Sequence, residues 1–139
     1  MKVIYNDKNI HVIRLDKDDE LITCLTDYVR KNSLTGGYIN AIGSAKELIL
    51  SYYNLDQKSF EDHLLQENLE IVSLNGNISM LNREPLIHLH GTLSRKDLSV
   101  IGGHIKKLII SATCEVILYP LPTNLQRVKD NNTGLNLLK

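Results

Sequence analysis

An α+β fold, a mostly antiparallel sheet with one amphipathic helix, follows from three features of the sequence. Over most of the chain apolar and polar residues alternate, the habit of half-buried strands. Only residues 18–32 space their apolar side chains three and four apart, as one face of a helix does. Helices therefore do not alternate regularly with strands, as a parallel sheet demands. With 139 residues, 42% of them hydrophobic and 23% charged, residues 1–139 are expected to form one domain around one core.

Taken in order, Lys2–Leu15 alternates imperfectly through Val3, Tyr5, Ile10, Val12 and Ile13, which predicts a hairpin around Asn6–Asn9. The helix follows, with Leu21, Ile22, Leu25, Tyr28 and Val29 as its apolar stripe. Asp18, Asp19 and Glu20 crowd its start and Arg30 and Lys31 its end, an arrangement that opposes the helix dipole favourably. It should stop near Asn32, because Ser33–Gly37 supplies turn residues and a glycine able to take positive φ.

Tyr38–Tyr53 is strand-like but interrupted at Gly43-Ser44, which predicts two strands separated by a bulge or bend. Leu55–Asn68 is polar and weakly periodic, fitting a short strand followed by a loop or helical turn. Leu69–Met80 contains the turn signal Asn75-Gly76 and predicts a hairpin. Pro85 precedes a strand over Leu86–Ser94, Arg95–Ser99 turns the chain, and Val100-Ile101-Gly102-Gly103 leads to a further strand over Leu108–Leu118. The tail after Pro122 carries scattered apolar residues and is either strand or loop.

Several function classes lose their support. No apolar run approaches the roughly 20 residues of a membrane-spanning helix. The opening MKVIYNDKNIHVIRL mixes charge with apolar residues and has no basic stretch followed by an apolar one, so a cytoplasmic protein is expected. Cys24 and Cys114 stand far apart in apolar stretches and read as reduced core residues. Sixteen basic and 16 acidic residues give a formal net charge of zero, which supplies no field to draw the chain onto a phosphate backbone. Aromatic residues make up 5% with no Trp, which disfavours a base-stacking platform. Phosphate loops, the GxGxxG fingerprint, the GxSxG elbow and the HExxH helix are all missing.

The chemistry concentrates in Ile87-His88-Leu89-His90, where period 2 sends both imidazoles to one strand face and Ile87 and Leu89 to the other. A third imidazole, His104, follows two glycines, and the Arg95-Lys96-Asp97 turn can return the chain beside His88 and His90. Three neutral imidazoles suit zinc or another divalent transition metal and leave a coordination position for water or substrate. On spacing alone the plainer alternative is favoured, in which His88 and His90 line a polar sheet face and His104 is a loop residue. His11 and His63 read as surface residues. Glu115 reads as a solvated alternate position, with a general base near a metal as the second choice. Arg83, Arg95, Lys96, Lys106 and Lys107 lie near the histidines in sequence, either as a solvated surface or as contacts for an anionic ligand.

The blocks Tyr38-Ile39-Asn40-Ala41-Ile42-Gly43, Leu69 to Ile78, Ile87-His88-Leu89-His90 and Gly102-Gly103-His104-Ile105 together resemble the plants-and-prokaryotes-conserved (PPC, or PCC) domain. A weaker echo continues in Leu125-Gln126-Arg127 and Thr133-Gly134-Leu135. The resemblance implies a PPC-like domain with a mostly antiparallel sheet, assembly into a homotrimer, and metal binding, often of zinc, by His88, His90 and His104. In plants this domain follows AT-hook motifs; this chain has no Arg-Gly-Arg-Pro, the part that enters the minor groove.

Three functions are compatible with these residues. The first is a homotrimeric binding or regulatory module whose metal site is structural or recognises a small molecule. The second is a zinc-dependent hydrolase or lyase acting on a small anionic substrate, with Glu115 or Asp97 moving a proton. The third is a DNA-associated protein, against which the balanced charge counts. Whether the chain is an enzyme is left open by the sequence, and its order of preference is the order given.

Overall fold

The computed structural model describes residues 1–139 as strands with a single helix. β1 (Lys2–Asn6) and β2 (His11–Asp16) form the predicted hairpin, whose turn is closed by Asp7 Oδ1 accepting from the Asn9 and Ile10 N–H groups at 2.7 and 2.8 Å. Alternation in β2 is strict: His11, Ile13 and Leu15 are buried while Val12, Arg14 and Asp16 are partly exposed.

Helix α1 spans Leu21–Lys31 and buries Leu21, Leu25, Tyr28 and Val29. It starts later than the predicted residue 18, because Asp18 adopts a left-handed φ of 73° and Glu20 caps the helix. The Glu20 carboxylate accepts from the N–H groups of Ile22 (3.1 Å) and Thr23 (2.7 Å), which answers two donors that a helix start leaves free. It also accepts from Leu108 N–H at 3.1 Å, tying the helix start to the sheet. At the other end the left-handed residue is Ser33, with φ 54°, and not a glycine.

The remaining strands are β3 (Gly37–Asn54), β4 (Ser59–Leu65), β5 (Leu69–Leu81), β6 (Glu84–Ser94), β7 (Val100–Pro120), β8 (Arg127–Lys129) and β9 (Asn136–Leu138). The main sheet has the order β1-β2-β7-β6-β5-β3-β4, and β3 pairs with β7 as well. All of its ladders are antiparallel. Hydrogen bonding thus runs from β3 through β5, β6 and β7 back to β3, a closed ring that leaves only β1 and β4 as edges. β8 and β9 make a separate small hairpin at the C-terminal end.

Three expectations about strand breaks are corrected. Gly43 does not divide Tyr38–Tyr53; it makes a bulge inside one strand of 18 residues. A side chain there would place its Cβ 2.4 Å from the Thr113 carbonyl oxygen, so the glycine serves close approach of β7. Asn75-Gly76 is not a turn but the middle of β5, and the turn lies further on at Asn82-Arg83, both with left-handed φ. Val100 to Pro120 is one strand of 21 residues, and Ser59–Leu65, within the weakly periodic segment, is the edge strand β4.

One core of 24 buried residues takes side chains from α1, β2, β3, β5, β6 and β7. Burying a Leu, Ile or Val side chain stabilises the fold by about 1.5–3 kcal/mol. Both cysteines are free, and burial pushes the Cys114 thiol up to about 12, so it is no nucleophile. His11, expected on the surface, is 5% exposed and meets the Tyr28 hydroxyl through Nδ1 at 2.9 Å. Tyr28→Phe should therefore cost about 1–3 kcal/mol, the penalty for stranding a buried polar atom, and urea unfolding of the variant measures it. No helix is long and apolar enough to cross a membrane.

Candidate metal centre

Strand period places the three histidines. In β6, Ile87 and Leu89 enter the core, so His88 and His90 project from the opposite face. β7 runs antiparallel to β6 with His104 directly opposite His90, and β3 lies on its other side with Ser51 opposite His104. Glycines permit this approach: a Cβ on Gly102 would sit 2.5 Å from the Gly91 carbonyl oxygen, and one on Gly76 would sit 1.8 Å from that of His88.

The structure brings together the three residues that the sequence singled out. One nitrogen from each of His88, His90 and His104 lies within 4.8 Å of the others, and the ring centroids are 5.2 to 5.4 Å apart. His88 and His104 are half-buried and His90 is exposed. Phe60 of β4 stacks on His104 at 5.1 Å, fixing that ring's plane. Burial lowers the pKa of His88 to about 4, with help from the Arg127 guanidinium and the other two imidazoles. Burial also lowers that of His104, with His90 and Lys106 acting the same way and Asp62 opposing. Both rings are neutral at pH 7, the form in which imidazole ligates a metal. The donor set of three neutral imidazoles converging from two paired strands fits a divalent transition metal.

The cluster forms the floor of a cleft of about 520 Å³. Tyr53, Phe60, Leu86, Leu135 and Leu137 supply apolar walls, the last two from the C-terminal end of the chain. Arg127 of β8 reaches in from the side. Its Nε donates to Ser79 Oγ (2.8 Å), one terminal nitrogen donates to the Asn136 carbonyl (2.7 Å), and the other contacts Asn77 Oδ1 (3.0 Å) and His88 Nδ1 (3.1 Å). Arg127 enters no ion pair, and no carboxylate lines the cleft.

Other candidates lie elsewhere. Glu115 is exposed in a different depression of about 440 Å³, shared with Glu70 and Thr113. Asp97 caps the β6–β7 turn by accepting from Ser99 N–H and hydroxyl at 3.0 and 2.6 Å. Neither carboxylate lines the histidine cleft. Among the basic residues near the motif, Arg95 pairs with Glu67, Lys106 with Asp62 and Lys107 with Glu47, while Arg83 sits in the β5–β6 turn. None of them lines the cleft, nor does Lys96. His63 is exposed on β4. Arg127 is the charged residue that sequence reasoning missed. Its only signal was the weak family echo around Leu125-Gln126-Arg127.

Comparison with known proteins agrees with this architecture. The chain is 31% identical over 128 residues to the bifunctional protein GlmU of Synechococcus sp. (strain JA-2-3B'a(2-13)), a match that spans 90% of this chain but only 19% of that protein. A crystal structure from Bacteroides thetaiotaomicron, named as a candidate DNA-binding protein, superposes with a TM-score of 0.93 at 28% identity, covering 97% of this chain and 94% of that one. A metal-containing protein of Archaeoglobus fulgidus superposes with a TM-score of 0.89 at 30% identity, covering 100% and 99%. Residues 4–122 match the model of the Plants and Prokaryotes Conserved domain, and the chain belongs to that PCC domain family.

Proposed function

We propose that the chain is a homotrimeric binding module in which His88, His90 and His104 hold one divalent transition metal, zinc first, and the cleft above them receives a small molecule. The observation that carries this reading is the convergence of three imidazole nitrogens within 4.8 Å on the floor of an accessible cleft. Three protein ligands leave a tetrahedral metal one position for water or a small ligand, where a bound zinc polarises what it touches. The metal-containing relative from Archaeoglobus fulgidus supports the same reading.

Binding is preferred over hydrolysis or elimination because the cleft lining contains no carboxylate to move a proton. A DNA-binding role, which the name of the Bacteroides relative suggests, has the zero net charge against it. The homotrimer comes from the family resemblance and has support in the exposed apolar side chains Ile4, Tyr38, Ile42 and Val72, which are 44 to 60% accessible in the single chain. The test is elemental analysis with light scattering on untagged protein purified without added metal. About one metal per chain in a particle of about 47 kDa, three times the 15.7 kDa chain, is the expected result. Protein that neither carries metal nor takes up micromolar zinc overturns the metal site, and a monomeric mass overturns the trimer.

A further inference from the structure

We propose that Arg127 is the anion-recognition residue of the cleft, and that the ligand is a small organic carboxylate with an apolar body, bound after His88 is committed to a metal. This rests on the metal reading above. Two independent features of the cleft point to that ligand class.

The first is uncompensated charge. Arg127 is half-buried, always charged, and has no carboxylate partner. No acidic side chain lines the cleft, and Asp62, which acts on His104 from beside Ser51, is itself paired with Lys106. A divalent ion held by three neutral imidazoles adds two further positive charges a few ångströms away, and a partly desolvated cluster of this kind calls for an anion. The walls decide which anion. Tyr53, Phe60, Leu86, Leu135 and Leu137 offer apolar surface, whereas a phosphate needs several N–H donors and the cleft has neither a lysine nor a glycine-rich phosphate loop.

The second is a hydrogen bond that metal ligation cannot leave intact. A guanidinium only donates, so in the 3.1 Å contact with Arg127 the Nδ1 of His88 accepts and the ring proton lies on Nε2. If His88 ligates through Nδ1, that lone pair is no longer available to Arg127. If it ligates through Nε2, the ring proton moves to Nδ1 and faces the Arg127 N–H. Either way Arg127 loses this acceptor and turns an N–H into the cleft, while Ser79, Asn77 and the Asn136 carbonyl still hold the rest of the guanidinium. The carboxylate replaces the lost acceptor. By linkage, ligand and metal must strengthen each other's binding by the same factor.

Calorimetric titration of the full chain with hexanoate, acetate and inorganic phosphate, with and without zinc, tests this. Zinc uptake is measured first and separately. Hexanoate is expected to bind the zinc-loaded parent about ten-fold or more tighter than the metal-free protein, and to raise zinc affinity by the same factor. Acetate, lacking the apolar body, is expected to bind about ten-fold or more weaker than hexanoate. Arg127→Gln, which keeps a neutral donor near Ser79, should retain zinc and lose hexanoate affinity by about ten-fold or more.

Zinc uptake with unchanged hexanoate affinity in Arg127→Gln overturns this inference and leaves the metal site standing. Phosphate binding tighter than hexanoate overturns the ligand class. Hexanoate that leaves the parent's zinc affinity unchanged overturns the coupling, a result read on the parent and so independent of how the variant folds. A parent that takes up no zinc overturns both this inference and the reading beneath it.

Discussion

Zinc uptake should fall from about one equivalent per chain to none when His88 and His90 are both replaced by alanine, while the fold survives. The loss should be complete because His104 is then the only imidazole left in the cleft. One neutral nitrogen donor does not hold zinc against water at micromolar concentration. The fold should persist because β6 splits its duties between its faces. Ile87 and Leu89 carry the core packing, at 9% and 0% exposure, whereas His90 is exposed and His88 reaches only the cleft and Arg127. Neither imidazole donates to the ladder that joins β6 to β5 and β7, so the backbone register has no reason to change. A second readout follows from mass action. Zinc at a hundred times its dissociation constant stabilises the parent by about 2.7 kcal/mol, a thermal shift the double variant should not show. Circular dichroism and elemental analysis on the same samples check it. A folded variant that keeps its metal would move the site elsewhere in the chain.

What the sequence revealed of this site, and what it did not, has a physical basis. His88 and His90 were legible because strand period is local: two residues apart means one face. His104 needed one further step, a short turn returning β7 beside β6, and that turn was written in Arg95–Ser99. Arg127 was not legible, since 39 residues separate it from His88 and it sits in a three-residue strand with no periodicity to report. The glycines misled for a different reason. Asn75-Gly76 has the composition of a hairpin turn, yet Gly76 is there because the His88 carbonyl leaves no room for a Cβ. Crowding from a distant strand and local turn geometry select the same residue, and sequence alone does not separate them. His11 was misplaced for a like reason: its partner, Tyr28, comes from a helix 17 residues away.

Metal-free protein should lose stability as the pH falls from about 6.5 to about 4, and His88 is the main cause. In the unfolded chain its imidazole titrates at the ordinary 6.5, whereas the folded chain holds it at about 4 through burial and, second, the Arg127 charge. Between those values the unfolded chain binds more protons than the native one, so stability rises with pH across the window. The contribution is therefore fully present above about 6.5 and lost as the pH falls through about 4. His104, also depressed by burial, acts in the same direction. The carboxylates act mostly below this window. Asp62 and Asp97 are held below the usual 3.8 by Lys106 and by Ser99 respectively, and Glu47 below 4.5 by Lys107, so most of their share disappears at lower pH. Urea midpoints measured at closely spaced pH values should slope upward between 4 and 6.5 in the parent and be flatter in His88→Ala/His90→Ala, which lacks the buried imidazole. Equal slopes would mean that His88 is solvated well enough to protonate in place. The cleft lined by Leu86, Phe60 and Arg127 would then admit water to it, and the neutral, ligand-ready state of the site would need another cause.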